Sequence, residues 1–396
     1  MMSGSHGRNK PQKRKKDEFD NDYREDWQRN HRHSPDERQR ISHSEKCFTV
    51  HPRNKYNTSA PAFRKPMFVG DFCLDENRMF CHDKRNLHYI NINWQESKKV
   101  DFDLNIAMDK MIKKNFQETR KEKLDRLLQW ILCDKFKFHT RDSEGKPLQC
   151  LSTDFVCFRG LLTELLCTPY ESREGWIICA TKYRGTIYLC AYETPEKLEQ
   201  RENETEVQKK MCSWGYKFEH FMTEGTNVNE GINENEEYCC VVRSRLENHS
   251  LVYGAEVDGA DPEKYKNPHS DLSAFVELKT SKELNTDRDL RSLYRFKLMK
   301  WWSQSYLVGI PRVVAGFRDM DGHDHWQDNI MLNFLNQFLS FVKKNVQKDD
   351  PRTVYKFERQ KQGGDIYCTY LGQDPAWTFL PKWYYEKIFQ PEDNSE

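Results

Sequence analysis

The chain has no apolar run long enough to cross a membrane, and no hydrophobic segment follows its first residues as in a secretory leader. The expectation is a protein with no membrane partner that works in the cytosol or nucleus. It also lacks a charge excess. Lys and Arg number 63 against 62 Asp and Glu, a net charge of +1, so a basic surface for nucleic acid has to be local. The 13 cysteines are odd in number and form no C-x-x-C pair. That argues against a disulfide framework and a zinc ribbon, and for reduced thiols. There is no Walker A loop, no G-x-G-x-x-G and no G-x-S-x-G, which sets aside the P-loop, dinucleotide-binding and serine-hydrolase classes. Asp319–Asp324, DMDGHD, opens like a calcium loop and then fails. Asp324 stands where that loop needs Gly, and Ile330 where it needs Glu.

What is present suffices for a large core: 37% hydrophobic and 13% aromatic residues in a chain of 396. Residues 1–60 are polar and read as a disordered arm. Its Lys10–Lys16 cluster, KPQKRKK, reads as a nuclear-import signal or a nucleic-acid-binding tail. A nuclear location is the expectation, with the cytoplasm second. Residues 61–389 alternate strand and helix signals without repeat or linker, which predicts one α/β domain, a mixed sheet with flanking helices. Residues 390–396 are a polar tail. Within the domain, order is expected from about Phe63. Helices are expected over 118–132, 195–212, 287–307 and 330–346. Residues 153–169 read as a strand, a turn at Arg159-Gly160 and a helix. Residues 176–192 read as a hairpin, 238–246 as a strand, and 313–317 as a core strand.

One stretch organises the rest: Tyr253–Leu284 holds Glu256-Val257-Asp258 and Glu277-Leu278-Lys279. On a strand, residues two apart share a face, so Glu256 and Asp258 would stand side by side and Val257 would enter the core. If the two runs pair, three carboxylates and one ammonium meet. Carboxylates that close raise one another's pKa unless a cation neutralises them, and a hard divalent ion suits their oxygens. This is the arrangement of metal-dependent nucleases. The residues alone also allow two exposed strands with solvated charges. Gln304, beside the apolar face of its helix, reads equally as a buried glutamine or a ligand. Glu122 reads as a solvated face residue.

Several further stretches occur in a fixed order: Cys157-Phe158-Arg159-Gly160-Leu161-Leu162-Thr163, Thr168-Pro169-Tyr170-Glu171, Tyr192-Glu193-Thr194-Pro195, Gly215-Tyr216-Lys217-Phe218-Glu219, Arg243-Ser244-Arg245-Leu246, Val276-Glu277-Leu278-Lys279-Thr280-Ser281-Lys282, Lys300-Trp301-Trp302-Ser303-Gln304-Ser305 and Val314-Ala315-Gly316-Phe317-Arg318. Together with Glu256-Val257-Asp258 they resemble the DXO family of decapping exoribonucleases, from about Phe63 to about Ile388. The resemblance implies a metal-dependent hydrolase acting on RNA 5′ ends. Its substrates would be 5′-triphosphate, incompletely capped and NAD-capped RNA, followed by 5′-to-3′ trimming. It implies two Mg²⁺ or Mn²⁺ ions held by Glu219, Glu256, Asp258, Glu277 and the Leu278 carbonyl. Lys279 would act on the phosphate. Phe158, Arg159, Gly160, Lys279 and Gln304 would contact substrate, and so would Arg78, Glu122 and Cys239. The alternative is a weakly active or inactive scaffold that stabilises a 5′–3′ exoribonuclease partner. A DNA nuclease with the same metal chemistry is a further rival. One departure from the family is the short segment that follows Phe317.

Overall fold

Strands that are apolar on both faces belong in the middle of a sheet covered from both sides. Phe155–Phe158, Trp176–Tyr183 and His249–Glu256 are of this kind, and each lies centrally in a ten-stranded sheet. The structure is a computed structural model. It describes residues 46–390 except 92–102, 142–146, 226, 228, 266–271, 282–283, 285, 317–326 and 362. The Lys10–Lys16 cluster, the DMDGHD run and the short segment after Phe317 lie outside the described residues.

In chain order the elements are β1 (Lys46–Phe48), β2 (Phe63–Leu74), β3 (Phe80–Cys81), α1 (Phe116–Thr119), α2 (Asp125–Cys133), β4 (His139–Arg141), β5 (Pro147–Leu151), β6 (Phe155–Phe158), α3 (Arg159–Cys167), β7 (Trp176–Tyr183), β8 (Thr186–Tyr192), α4 (Pro195–Glu202), α5 (Glu206–Phe221), β9 (Glu237–Leu246), β10 (His249–Glu256), β11 (Gly259–Ala260), β12 (Phe275–Thr280), α6 (Asp287–Ser292), α7 (Met299–Val308), β13 (Arg312–Gly316), α8 (Asp328–Asn345), β14 (Val354–Arg359), β15 (Ile366–Gly372) and α9 (Lys382–Lys387). The large sheet runs β1-β15-β14-β7-β8-β6-β10-β9-β2-β3. It is mixed, because β6 lies parallel to both β8 and β10 while the other pairs are antiparallel. One face is covered by α3, α7 and α8, with Leu161, Leu165, Leu307, Phe334 and Phe338 buried together. The other is covered by α2 and α9, through Leu127, Leu128, Ile131 and Tyr384. The mixed sheet with flanking helices is as expected.

Several local expectations are corrected. The fold starts upstream of Phe63: Lys46–Phe48 pairs with β15, and the Phe48 ring packs against Phe334 and Phe338. The helix expected over 118–132 is broken. Asn115 caps α1, and Lys123 turns left-handed at φ 50° before α2 begins. The helix expected over 195–212 is two helices. Thr205 and Gln208 form a reciprocal capping box that starts α5, which runs on to Phe221 and so carries Gly215–Glu219 on a helix. Between α6 and α7, residues Leu293–Leu298 form a π-helical turn. The wider turn shifts the buried face, so that Leu293 and Met299 are buried rather than Tyr294 and Leu298. β13 is not a core strand. It is the edge of a separate three-stranded sheet, with Val313 38% exposed.

Candidate active site

The site grows from the point where two parallel strands end. Gly254 of β10 lies opposite Phe158 of β6. β10 ends two residues later at Glu256, and α3 starts directly after Phe158. The expected turn at Arg159-Gly160 is therefore the first turn of a helix, with Arg159 buried and Gly160 exposed. In open α/β sheets, ligands bind outside the carboxyl ends of strands. Gly254 makes this packing possible, since a Cβ there would stand 2.9 Å from the Phe158 ring.

The runs Glu256-Val257-Asp258 and Glu277-Leu278-Lys279 do not pair with each other. Glu256 ends β10 in the large sheet, facing Cys239 of β9. Glu277 and Lys279 lie on β12, between β11 and β13 of the small sheet. Val257 and Asp258 are the link between β10 and β11, and Val257 is buried as expected. The two sheets are joined through side chains instead. Asp258 Oδ2 accepts from the Leu278 amide at 2.7 Å and from Lys279 Nζ at 3.1 Å. Arg159 Nη1 donates to Glu277 Oε2 at 3.1 Å, so α3 of the large sheet grips β12 of the small one.

Glu219 comes from α5. Phe218 beside it packs with Ile90, Val276 and Leu278 in a small core of its own, and this seats the helix on β12. Burial, then Asp258 and Glu256, push the Glu219 carboxyl well above the ordinary range. Glu256 is reachable by solvent but walled in by the cleft. Burial, with Glu237 and Asp258, pushes it up to about 7. Asp258 is raised by burial and Glu277. Only Glu277 is held low. Burial acts to raise it, and Arg159 and Lys279 outweigh that.

These side chains fit a divalent cation. All the donors are carboxylate oxygens, they repel one another, and two cations serve four acids. Glu277 Oε1 is buried and forms an ion pair with Lys279 Nζ at 2.6 Å. Lys279 Nζ thus holds Asp258 and Glu277 together as an ion would. In this arrangement no three ligand side chains among the described residues are drawn into a finished cage.

Next to Glu256 opens a cavity of about 230 Å³, lined by residues that include Arg78, Glu122, Phe158, Glu237 and Cys239. Four of the expected substrate contacts therefore share one chamber. Glu122 is no solvated bystander. It accepts from Arg78 Nε at 2.8 Å and Nη2 at 3.0 Å. Arg78 sits at φ 60° in the β2–β3 connection and also bonds Glu237 at 3.0 Å. Reading by sequence missed Glu237, Lys114, which pairs with it, and Arg126, which lines the cavity. Glu237 lies two residues before Cys239 on the same strand face, so period-2 reasoning could have found it. Gln304 is half-buried on α7, and no contact among the described residues joins it to the acids.

A family model described as RAI1 like PD-(D/E)XK nuclease matches residues 64–325 and 322–385. The chain belongs to this nuclease family. Similar curated relatives include the human decapping and exoribonuclease protein, 35% identical over 88% of this chain and 95% of its own length. The mouse protein of that name is 37% identical over 85% and 88%. The Drosophila melanogaster decapping and exoribonuclease protein Rai1 is 32% identical over 83% and 92%. Among solved structures, Candida albicans Rai1 in complex with pU5 and Mn²⁺ superposes with a TM-score of 0.70 at 17% identity, covering 87% of this chain and 99% of that one. Scheffersomyces stipitis Rai1 with (3′-NADP)⁺ and calcium gives 0.68 at 19%, covering 84% and 97%. At these identities the structural likeness establishes the fold. As a RAI1-like nuclease the chain is a hydrolase whose family works with divalent metal.

Proposed function

We propose that this RAI1-like nuclease hydrolyses phosphoester bonds at RNA 5′ ends, removing incomplete caps, NAD caps and pyrophosphate from triphosphate ends before 5′-to-3′ trimming. The observation that carries the reading is the meeting of Glu219, Glu256, Asp258 and Glu277 with Lys279 beside the Arg78 cavity. The names of the relatives, with the RNA and dinucleotide complexes of the structural neighbours, support the choice of substrate.

Glu219, Glu256, Asp258, Glu277 and the Leu278 carbonyl would hold one or two Mg²⁺ or Mn²⁺ ions. Bound there, such ions supply Lewis acidity and a lowered pKa for water. The chain's own residues do the rest. Lys279, held charged by Asp258 and Glu277 against its burial, would stabilise negative charge on the scissile phosphate. Arg159 fixes Glu277, and the exposed first turn of α3 at Gly160 offers backbone N–H groups to phosphate oxygens. Glu122 and Glu237 keep lone pairs that can accept from ribose hydroxyls, with Arg78 holding both carboxylates in place. A cavity of about 230 Å³ suits one unpaired nucleoside better than a base pair, which would favour single-stranded ends. Gln304 remains a proposed substrate contact.

The test is incubation of wild type and Glu256→Ala/Asp258→Ala with 5′-triphosphate, NAD-capped and 5′-monophosphate RNA, in Mg²⁺ or EDTA. Release of the 5′ group by wild type alone, and only with metal, is the expected result. No turnover of any of the three would overturn the reading. We further propose a nuclear location, from Lys10–Lys16, and docking to a 5′–3′ exoribonuclease. Imaging of the Lys10–Lys16 deletion checks the first. Co-purification of the Glu277→Ala variant with the exoribonuclease checks the second.

A further inference from the structure

The same two strands that line the cavity carry a second feature at their other end. On β9, Cys239, Val241, Arg243 and Arg245 alternate onto one face. On β2 the residues opposite are Phe72 for Cys239, Met67 for Arg243 and Arg64 for Arg245. The strand pair thus carries the substrate cavity at its Cys239 end and, six residues and roughly 20 Å away, a cluster of three guanidinium groups, with Val241 buried under α2 between them. Arg64, Met67, Arg243, Ser244, Arg245 and Ser250 surround a recess of about 180 Å³ there.

Three observations set this recess apart. Arg64 and Arg245 are directly opposite each other across the strand pair, where like charges destabilise a sheet. Among the described residues, none of the three arginines has a carboxylate partner. Arg243 reaches only the carbonyl and hydroxyl of Ser152. Asp154, which accepts from the Ser250 amide, is committed to Lys343 at 2.9 Å. Finally, Arg243 is half-buried, and its guanidinium is depressed by burial and by the charges of Arg245 and Arg64. A balanced protein has carboxylates to spare, and among the described residues none lines this recess.

We propose that Arg64, Arg243 and Arg245 form a phosphate-binding subsite for the backbone of an RNA whose 5′ end lies in the active-site cleft. The proposal rests on the 5′-end reading above and adds a downstream contact to it. A phosphodiester fills the recess with the charge the sheet lacks, and paired guanidinium forks suit its oxygens. Because the subsite stands roughly 20 Å from the cavity with α2 packed between them, only an RNA long enough to pass around that helix can reach both places. Long substrates are thereby favoured over short ones.

The experiment uses the full chain in EDTA and the Arg64→Glu/Arg245→Glu variant. Both positions are exposed, and the change exchanges one like-charged pair for another at positions where the strand pair already tolerates like charges, so folding is preserved. Arg64→Lys/Arg245→Lys is the conservative control. Binding of 5′-monophosphate RNA is measured for a pentanucleotide and for a strand of about twenty nucleotides, across a range of salt. The Glu variant is expected to bind the long strand about tenfold more weakly. Its salt slope falls by about 1.4, for two lost contacts to a single strand. Pentanucleotide affinity stays unchanged, and the Lys variant behaves as wild type. Equal long-strand binding by the Glu variant and wild type overturns the proposal. So does a recess that takes only inorganic phosphate, seen as a phosphate-induced rise in Tm lost in the Glu variant without any change in RNA binding. Turnover separates the two readings. A protein that cuts no RNA yet loses long-strand affinity in the Glu variant keeps the subsite and loses the nuclease reading.

Discussion

The two ends of β9 pose opposite electrostatic problems. At Glu237 and Cys239 the strand borders Glu256 and the acid cluster, where four carboxylates share Lys279 and Arg159. At Arg243 and Arg245 it borders a cluster of guanidinium groups with no acid among the described lining residues. Neither arrangement serves stability. Repulsion in each is tolerated by a sheet whose interior is closed on both faces, with Val241 and Val242 fully buried between the two ends. A fold keeps such costs where a ligand of the opposite charge relieves them: a metal cation at one end, a phosphate at the other. The Arg78 cavity is the contrasting case. There Arg78 and Lys114 hold Glu237 below the ordinary carboxylate range in spite of its burial, and the charges are matched before any ligand arrives.

The comparison can be broken in order of effect. Glu277→Ala should abolish turnover, and it leaves the buried Arg159 guanidinium unpaired, at roughly 3 kcal/mol of stability. Kinetics with a denaturant titration separate the two losses, and Glu277→Gln should lose turnover with less loss of stability. Lys279→Met should lower kcat about 100- to 1,000-fold. It leaves Asp258 and Glu277 without their shared cation, so Mg²⁺ should raise its Tm more than it raises that of wild type. In the matched cavity, Glu122→Gln should mainly raise KM, corresponding to about 1–3 kcal/mol, because Arg78 keeps Glu237. A fall in kcat with KM unchanged would place Glu122 in the chemistry instead. Gly254→Ala should cost about 1–3 kcal/mol by forcing the Phe158 ring aside, read as a lowered Tm.

The smallest effect is one of pH. Glu256 has its carboxyl raised to about 7, chiefly by burial. An acid whose folded pKa is raised stabilises the fold while protonated. That contribution fades as pH rises from the unfolded value, about 4.3, through about 7. In EDTA, Tm should therefore fall between pH 5 and pH 8. Mg²⁺ should recover more of it at pH 8 than at pH 6, since the ion needs the ionised form. A metal-free Tm that is flat over this range would remove Glu256 from the repelling cluster.

The sequence by itself determined the chemistry and the class. Glu256, Asp258, Glu277 and Lys279 suit a hard-metal phosphate site by residue type and two-residue spacing, and the ordered motifs around them decided for it over two strands of solvated charges. The alternation of strands and helices sets a mixed sheet, because periodicity is a local property of the chain. Hairpin β7–β8 and helix α8 were legible for the same reason. What local pattern does not carry is which strand lies beside which. The two acidic runs were expected to meet if their strands paired, yet Glu256 and Glu277 stand on two different sheets, joined by Arg159 and by Asp258 in the link after β10. Glu122 looked solvated because its partner Arg78 is 44 residues away and Glu237 farther still. The π-helical turn before α7 moved Tyr294 and Leu298 off the buried face in favour of Leu293 and Met299, while Trp301 and Ser305 are buried as the spacing predicts. The opposition of Arg64 and Arg245 exists only once β2 and β9 are in register. Long-range pairing costs loop-closure entropy that no short window of sequence reflects, so only the tertiary structure decided it.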